Sequence, residues 1–163
     1  MAASNFTATR ARELLNYDSQ TGLFTWKVGR PKASMGALAG SITKDGYVML
    51  TIDRAKVYAH RVAWLFEKNA WPAAEIDHIN GVRHDNRIEN LRDVSPSVNQ
   101  QNVRRARCDN KSGFLGVTRQ KNLWTSQLTI GGKTLHLGLF RTPEEASEAY
   151  LKAKRKHHDG CTI

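Results

Sequence analysis

Cysteine is scarce in this chain, which excludes any scaffold built on cysteine. Cys108 and Cys161 are the only two cysteines among the 163 residues, and they lie far apart in the sequence. Two isolated thiols cannot form a four-cysteine zinc site or a disulfide framework, and they suit a reducing compartment. The sequence therefore predicts no structural zinc and a cytoplasmic location.

Long apolar runs are also missing. No stretch approaches the roughly 18 apolar residues that a membrane-spanning helix needs, and the N-terminal segment lacks the apolar core of a secretory signal. Hydrophobic residues make up 40% and charged residues 25% of the sequence, a balance typical of folded proteins. We therefore expect a folded protein without membrane association.

Acidic residues are outnumbered by basic ones. Lys and Arg total 25 against 15 Asp and Glu, which gives a formal net charge of +10. The excess is greatest in the second half of the chain, where Arg104, Arg105 and Arg107 form a basic segment. Such a charge favours a polyanionic partner, most often nucleic acid, although a merely basic protein remains the alternative.

Residue patterns in the first half predict short, mixed elements. Apolar spacing and alternation are the signals for helices and strands, and Gly, Pro and Asp-Gly pairs mark the loops. A proline disfavours helix at the residue before it, so Trp71-Pro72 is expected to end the second helix. The predicted elements are a helix over 9–17, a strand over 22–28, a loop over 29–40, a hairpin of 47–52 with 56–59 around Asp53-Arg54, and a helix over 60–68.

The last fifty residues show a clearer pattern. Residues 123–130 and 133–140 alternate as strands around Gly131-Gly132, with Leu135, Leu137 and Leu139 expected on one side. Thr142 and Pro143 then begin a helix, with Glu145 closing a capping box, and Gly160 is expected to end it. The sequence thus predicts a three-stranded antiparallel sheet packed on one helix. The polar cluster from Asp109 to Gly113 separates a domain of residues 1–108 from one of 109–163.

Residues 76–102 contain the candidate catalytic and metal-binding residues. Asp77 and His78 lie in a predicted strand, a second strand follows at 91–94, and a helix begins at Ser95-Pro96 with Asn99 one turn along. Carboxylate and amide oxygens are hard ligands that suit Mg²⁺. A neighbouring histidine can act as general base on a water molecule. Together these groups are suited to metal-assisted hydrolysis of a phosphodiester.

This segment resembles the HNH nucleases, which have the ββα-metal fold, and in particular those of phage homing endonucleases. The matching residues are Asp77-His78, Asn90-Leu91-Arg92 and Asn99. The resemblance implies that His78 is the general base, that Asp77 and Asn99 ligate one Mg²⁺ or Mn²⁺, and that Asn90 fixes the loop between the strands. It also implies that the ion bridges the scissile phosphate and the leaving 3′ oxygen, which leaves 5′-phosphate ends.

One position departs from the commoner family pattern, which ends in histidine where this chain has Asn99. An oxygen ligand favours Mg²⁺ and Mn²⁺ over softer metals. Asn102, one helical turn further on, is the alternative ligand. His60 is expected to be structural or to support the site, with a catalytic role as the alternative. His84 is expected to be an exposed loop residue, although it could approach the site.

Residues 112–160 resemble the AP-two DNA-binding domain of plant ethylene-response factors. Gly116-Val117, Trp124, Leu137-Gly138, Glu144-Glu145-Ala146 and Ala149-Tyr150 carry the likeness. It implies that the sheet enters a DNA major groove while the helix packs behind it; an ordinary solvated sheet surface is the alternative. The polar face is expected to consist of Arg119, Thr125, Gln127, Thr129, Lys133 and His136, with Arg104, Arg105 and Arg107 contributing to the DNA contact. The basic residues Lys152, Lys154, Arg155 and Lys156 either touch phosphates or complement the helix dipole.

The combined interpretation is an α+β protein in which an HNH unit cuts double-stranded DNA and the second domain grips it. The resemblance favours a phage homing endonuclease in the host cytoplasm, which nicks or cleaves its target. No small-molecule cofactor is expected, and a monomer is favoured because no dimerisation signal occurs. The alternatives are a non-catalytic, sequence-specific DNA-binding regulator and a nuclease directed by structure or by RNA.

Overall fold

A computed structural model of the chain describes residues 7–163, so residues 1–6 of the predicted first domain lie outside the described residues. The fold is mixed, with short helices and small antiparallel sheets. Its contacts divide the chain into two compact units, one ending at Ser95 and one running from Pro96 to Ile163. The division predicted after residue 108 stays a prediction. No helix among residues 7–163 is long and apolar enough to cross a bilayer.

The first unit begins with helix α1 (Ala8–Leu14), whose N-terminus is capped by the Thr7 hydroxyl. Strand β1 (Leu15–Tyr17) follows and pairs antiparallel with β2 (Phe24–Trp26). The predicted helix over 9–17 is therefore too long at its C-terminal end. The reason is that Leu15 becomes extended to pair with Trp26, and its side chain is fully buried in the core.

A three-stranded sheet and a second helix complete the core of this unit. The sheet has the order β3 (Ser41–Ile42), β4 (Val48–Ile52), β5 (Ala55–Tyr58), and Asp53 and Arg54 form the predicted turn with positive φ. Helix α2 (Ala59–Lys68) ends at Asn69, which is left-handed, so it stops before the predicted Trp71-Pro72. The core consists mainly of apolar side chains from these elements, among them Leu15, Phe24, Leu50, Ile52, Val62 and Ala63.

The two strands predicted within residues 76–102 are present. Strands β6 (Glu75–His78) and β7 (Leu91–Val94) pair antiparallel, with a single 3₁₀ turn (Ile88–Asn90) just before β7. Asp93 on β7 accepts hydrogen bonds from the backbone N–H groups of Ala73 and Ala74, at 2.6 and 2.9 Å. These bonds fix the chain where it enters β6.

The second unit begins with helix α3 (Pro96–Gln101). A sheet of order β10 (Lys133–Phe140), β9 (Leu123–Ile130), β8 (Val117–Gln120) follows, and then helix α4 (Pro143–His157). The two long strands and the Thr142–Glu145 capping box match the prediction. Gly116 has φ +65°, and a Cβ there would lie 2.1 Å from the Tyr150 ring. Only glycine therefore allows α4 to approach this closely.

A β-bulge in β10 corrects the predicted faces of this sheet. The register shifts between His136 and Gly138, so Leu135 lies opposite Leu128 whereas Leu139 lies opposite Thr125. Directly opposed residues share a face, so the predicted alternation of Leu135, Leu137 and Leu139 on one side is wrong. Leu135 and Leu139 are both exposed, 41% and 50%, but on opposite faces of the sheet.

The same register corrects the predicted polar face. Arg119 pairs with Trp124 and Lys133 pairs with Ile130. Both basic residues therefore share the face of Trp124, not that of Gln127. The remaining members of the predicted face are Thr125, Gln127, Thr129 and His136.

The chain after α4 also differs from expectation. The helix ends at His157, before Gly160, because His158 is extended. Gly160 packs against α3, and its N–H donates to the Gln101 side chain at 2.9 Å. Lys154 is 1% exposed and its Nζ donates to the Val103 carbonyl at 2.5 Å. Lys154 is thus a buried structural residue, unlike the exposed bases around it.

Candidate active site

His78, at the end of β6, is the proposed base and is 4% exposed. Its Nε2 lies 3.5 Å from Oδ1 of Asn86 in the loop before β7. Burial lowers the pKa of His78 below its usual range. The imidazole is therefore neutral at neutral pH and able to accept a proton.

Asp77, the residue before His78, forms an ion pair with an arginine on the neighbouring strand. The Arg92 guanidinium donates to Asp77 Oδ2 through Nε at 2.9 Å and through Nη2 at 2.7 Å. The two residues lie opposite each other in the β6–β7 register, and the Asp77 side chain is only 7% exposed. A buried carboxylate is costly unless it is paired, and the ion pair with Arg92 offsets that cost for Asp77.

Asn90 bridges both sides of the loop between the strands. Its Oδ1 accepts from the backbone N–H of Asn80 at 2.9 Å, and its Nδ2 donates to the carbonyl of Asp85 at 2.8 Å. Asp85 also accepts from Asn80 Nδ2 at 2.7 Å and pairs with Arg87 at 2.8 Å. Asn90 is 5% exposed. The loop that follows His78 is therefore tied to the start of β7 by buried polar groups.

The N-terminal hairpin supports this loop from the other side. The Tyr17 hydroxyl donates to the Asn86 carbonyl at 2.7 Å. Gly22 has φ +73°, and a Cβ there would lie 2.5 Å from the Arg87 nitrogen. The turn after β1 thus packs directly on the backbone that carries Asn86, whose Oδ1 lies 3.5 Å from His78 Nε2.

Aromatic rings enclose the other side of His78. The His60 and His78 ring centroids lie 5.1 Å apart with the planes at 88°. Tyr47 lies 5.9 Å from His78 and 5.5 Å from His60, and Tyr58 stacks on His60 at 5.3 Å. Burial, with His78 and Arg61 nearby, lowers the pKa of His60 to about 3. His60 therefore lies beside the proposed base as a neutral ring.

Other histidines and asparagines of the segment are placed as follows. His84 is exposed in the loop, and its carbonyl accepts from Asn86 Nδ2 at 3.2 Å. Asn99 lies on α3 in the second unit. The Oδ1 of Asn102 accepts a hydrogen bond from the Thr162 hydroxyl in the same unit. The oxygen that would make Asn102 a ligand is therefore already engaged within its own unit.

The donor chemistry fits a hard divalent ion. Within residues 7–163 no three His, Cys, Asp or Glu side chains cluster as a metal site. The predicted set needs only one carboxylate, from Asp77, and one amide oxygen, from Asn99. Mg²⁺ typically takes one or two such groups and keeps several waters.

The predicted DNA-contacting residues differ in their accessibility. Gln127, Thr129 and His136 are exposed on the polar sheet face, whereas Thr125 is buried and its hydroxyl lies 2.9 Å from His136 Nε2. Arg119 and Lys133 are exposed on the opposite face.

The predicted basic segment is mixed in the same way. Arg105 and Arg107 are exposed. Arg104 Nη2 donates to the Thr162 hydroxyl at 2.6 Å and to its carbonyl at 3.0 Å. A phosphate contact by Arg104 has to coexist with these bonds.

Sequence reasoning missed Arg92 as the partner of Asp77, and it missed Asn86, Tyr47 and Tyr17 as parts of the site. The Arg92 contact had a usable signal, because a strand pair that joins His78 to Leu91 sets Asp77 against Arg92. The tyrosines had none, since their contacts depend on how separate elements pack.

A buried histidine beside a buried, ion-paired carboxylate, on a strand–loop–strand held by an asparagine, is compatible with metal-assisted hydrolysis. Residues 57–101 match the sequence profile of the HNH endonuclease family. The matched segment runs from β5 to the end of α3 and includes Asp77, His78, Asn90 and Asn99. It supports a nuclease that acts on DNA, and HNH nucleases generally depend on a divalent metal. Comparisons with curated proteins and with solved structures gave no significant match.

Proposed function

We propose that this protein is a metal-dependent DNA endonuclease that hydrolyses a phosphodiester with His78 as general base. The observation that carries the proposal is the buried His78 next to Asp77, which is paired with Arg92, within a segment that matches the HNH family. A base has to be unprotonated before the reaction and close to its water. The lowered pKa of His78 meets the first condition.

The proposed reaction divides the work among residues of the segment. His78 removes a proton from the attacking water, whose oxygen adds to phosphorus as the 3′ oxygen leaves. Asn90 keeps the loop after His78 in place and touches no reacting atom. Asp77 and Asn99 would hold one Mg²⁺ or Mn²⁺. When bound, such an ion neutralises charge on the phosphate and on the leaving oxygen.

The second unit is proposed to hold the duplex. Exposed Arg105 and Arg107 would neutralise phosphates, which supplies affinity without sequence information. Gln127 is exposed on the polar sheet face, and a glutamine there can pair with adenine in a major groove. The AP-two likeness, a homing role and a phage origin belong to this proposal. A single active site per chain favours a nick.

A non-catalytic DNA-binding regulator is the competing function. It would retain the basic surface and bind DNA without cutting. The Asp77–Arg92 ion pair is the observation in its favour, because the carboxylate already has a cationic partner.

The test is nicking of supercoiled plasmid and of phage genomic DNA in Mg²⁺ or Mn²⁺, with EDTA as a control. We expect metal-dependent relaxation that falls at least a hundredfold in His78→Ala, since general-base catalysis contributes about 10²–10⁴. His84→Ala, on the exposed part of the same loop, should cut like the wild type. Binding without cutting in either metal would favour the regulator, and full activity in His78→Ala would refute the assigned base.

A further inference from the structure

His60, the second residue of α2, packs directly against the proposed base. The two imidazole centroids are 5.1 Å apart and the ring planes meet at 88°. Aromatic pairs attract each other at this distance in an edge-to-face arrangement. Both side chains are more than nine-tenths buried. Each ring therefore limits the rotation of the other.

Packing, rather than a hydrogen bond at Nδ1, fixes His60 itself. Tyr58 stacks on it with the planes 11° apart, and Tyr47 contacts both histidines. Its Nδ1 is buried and has no hydrogen-bond partner among the described residues. An unpaired buried polar atom destabilises a fold, because the loss of its hydrogen bonds to water is not compensated. An imidazole at this position therefore lowers the stability of the fold, and no hydrogen bond at Nδ1 compensates for that loss.

On the loop side, by contrast, the contact to His78 is long. The 3.5 Å between its Nε2 and Asn86 Oδ1 lies at the limit of a hydrogen bond. We propose, on the basis of the nuclease function above, that His60 is a positioning residue: its ring holds the His78 imidazole at the angle from which it takes the proton of the attacking water. His60 touches neither the DNA nor the reacting atoms.

The kinetic test compares His60→Ala, which removes the ring, with His60→Phe, which keeps a ring but has no nitrogen. A misplaced catalytic group costs on the order of a hundredfold, so His60→Ala should lower kcat by about 10- to 100-fold with KM for DNA unchanged. His60→Phe should recover kcat to within about fivefold. The matched control is Val62→Ala, a fully buried core residue of the same helix, which should lose stability but keep kcat.

A spectroscopic test does not depend on cutting. In ¹H–¹³C spectra of the full chain, the Cε1–Hε1 signal of His78 should be single and sharp in the wild type and in His60→Phe. In His60→Ala it should move and broaden as the ring samples several orientations. Should His60→Ala not fold, Tyr58→Ala, which removes the ring stacked on His60, should change the same signal.

The outcomes separate this inference from the function on which it rests. If the wild type cuts no DNA, the proposed function fails, and the His78 signal alone decides whether His60 positions that ring. An unchanged signal or wild-type kcat in folded His60→Ala would overturn the inference. So would a His60→Phe variant as impaired as His60→Ala, because the nitrogen rather than the ring would then matter.

Discussion

At the scale of single residues, Asn90 links the backbone N–H of Asn80 to the backbone carbonyl of Asp85. Asn90→Ala leaves the Asn80 N–H and the Asp85 carbonyl without this partner, which should lower the free energy of unfolding by about 1–3 kcal/mol. Nicking should fall with it, since the loop after His78 loses its tie. Urea titration and the plasmid assay measure the two effects.

Asn16→Ala is the matched control for that substitution. Asn16 is exposed on β1 in the same unit, so its removal should change the free energy of unfolding by less than about 0.5 kcal/mol. Equal losses in the two variants would contradict the assigned role of Asn90.

Asp85 gives the site loop a defined response to acid. Hydrogen bonds from Arg87 lower the pKa of Asp85 to about 2, from an ordinary value of 3.8. A carboxylate with a depressed pKa in the folded state stabilises the fold above its unfolded pKa, and this contribution is lost as the pH falls through the folded pKa. The wild type should therefore lose its stability advantage over Asp85→Asn between about pH 4 and pH 2.

Urea titrations from pH 5 to pH 2 measure this difference. Asp109→Asn is the control, because the Asp109–Arg107 pair is highly exposed and exposed pairs contribute little. A constant gap between wild type and Asp85→Asn over the whole range would show that the carboxylate charge is not what stabilises the loop.

The residue scale also shows which parts of the site a sequence can predict. His78, Asp77 and Asn90 stand out because their types and spacing carry chemistry. Arg92 was overlooked because a basic residue on a strand looks like a surface charge until the strand register is drawn. Lys154 was overlooked for a related reason, since burial of a lysine depends on the carbonyl of Val103, fifty-one residues away.

At the scale of elements, the turn between β1 and β2 acts on the site through close packing. Gly22 and Gly36 both have positive φ, +73° and +84°, but only at Gly22 would a Cβ meet other atoms, at 2.5 Å from the Arg87 nitrogen. A left-handed non-glycine residue costs about 1–2 kcal/mol, and overpacking adds about 1–3 kcal/mol.

Gly22→Ala should thus destabilise the first unit more than Gly36→Ala, and it alone should reduce nicking. The reason is that Gly22→Ala pushes on the backbone between Asn86 and Arg87, and the Asn86 side chain lies 3.5 Å from His78 Nε2. Thermal unfolding and the plasmid assay on the two variants form the test. Similar activities would mean that this turn supports stability only.

Local sequence patterns predict some element boundaries correctly and miss others. The two-residue turn at Asp53-Arg54 and the capping box at Thr142 depend on neighbouring residues, and both were predicted. The end of α1 and the bulge in β10 depend on partner strands distant in sequence. A period-2 pattern cannot reveal a bulge, and one extra residue moves Leu139 to the other face.

At the scale of the whole molecule, two compact units share a net charge of +10. The proposed general base His78 and the proposed metal ligand Asp77 lie in the first unit, and the exposed Arg105 and Arg107 lie in the second. Charge counts alone could predict a polyanionic partner but not which basic side chains contact it. Arg104 bonds to Thr162 and Arg10 bonds to Asp53 and Glu13, so both already have partners within their own units.

The salt dependence of DNA binding distinguishes arginines that contact phosphates from arginines that are already paired with carboxylates of the protein. Each neutralised phosphate contributes about −0.9 to the slope of log K against log salt. Replacing both Arg105 and Arg107 by alanine should therefore reduce the slope by about 2 units and weaken binding to all duplexes alike. Fluorescence anisotropy with a labelled duplex in EDTA, which prevents cutting, measures both quantities.

Arg10→Ala provides the comparison, because its guanidinium lies 2.8 Å from Asp53 and from Glu13 and should not release counterions from DNA. We expect its slope to equal that of the wild type. If Arg10→Ala changed the slope as much as the loss of Arg105 and Arg107, affinity would follow net charge in general and the basic segment would have no special place in binding. A slope altered only by the segment would instead locate the phosphate contacts in the second unit, as the proposed division of labour requires.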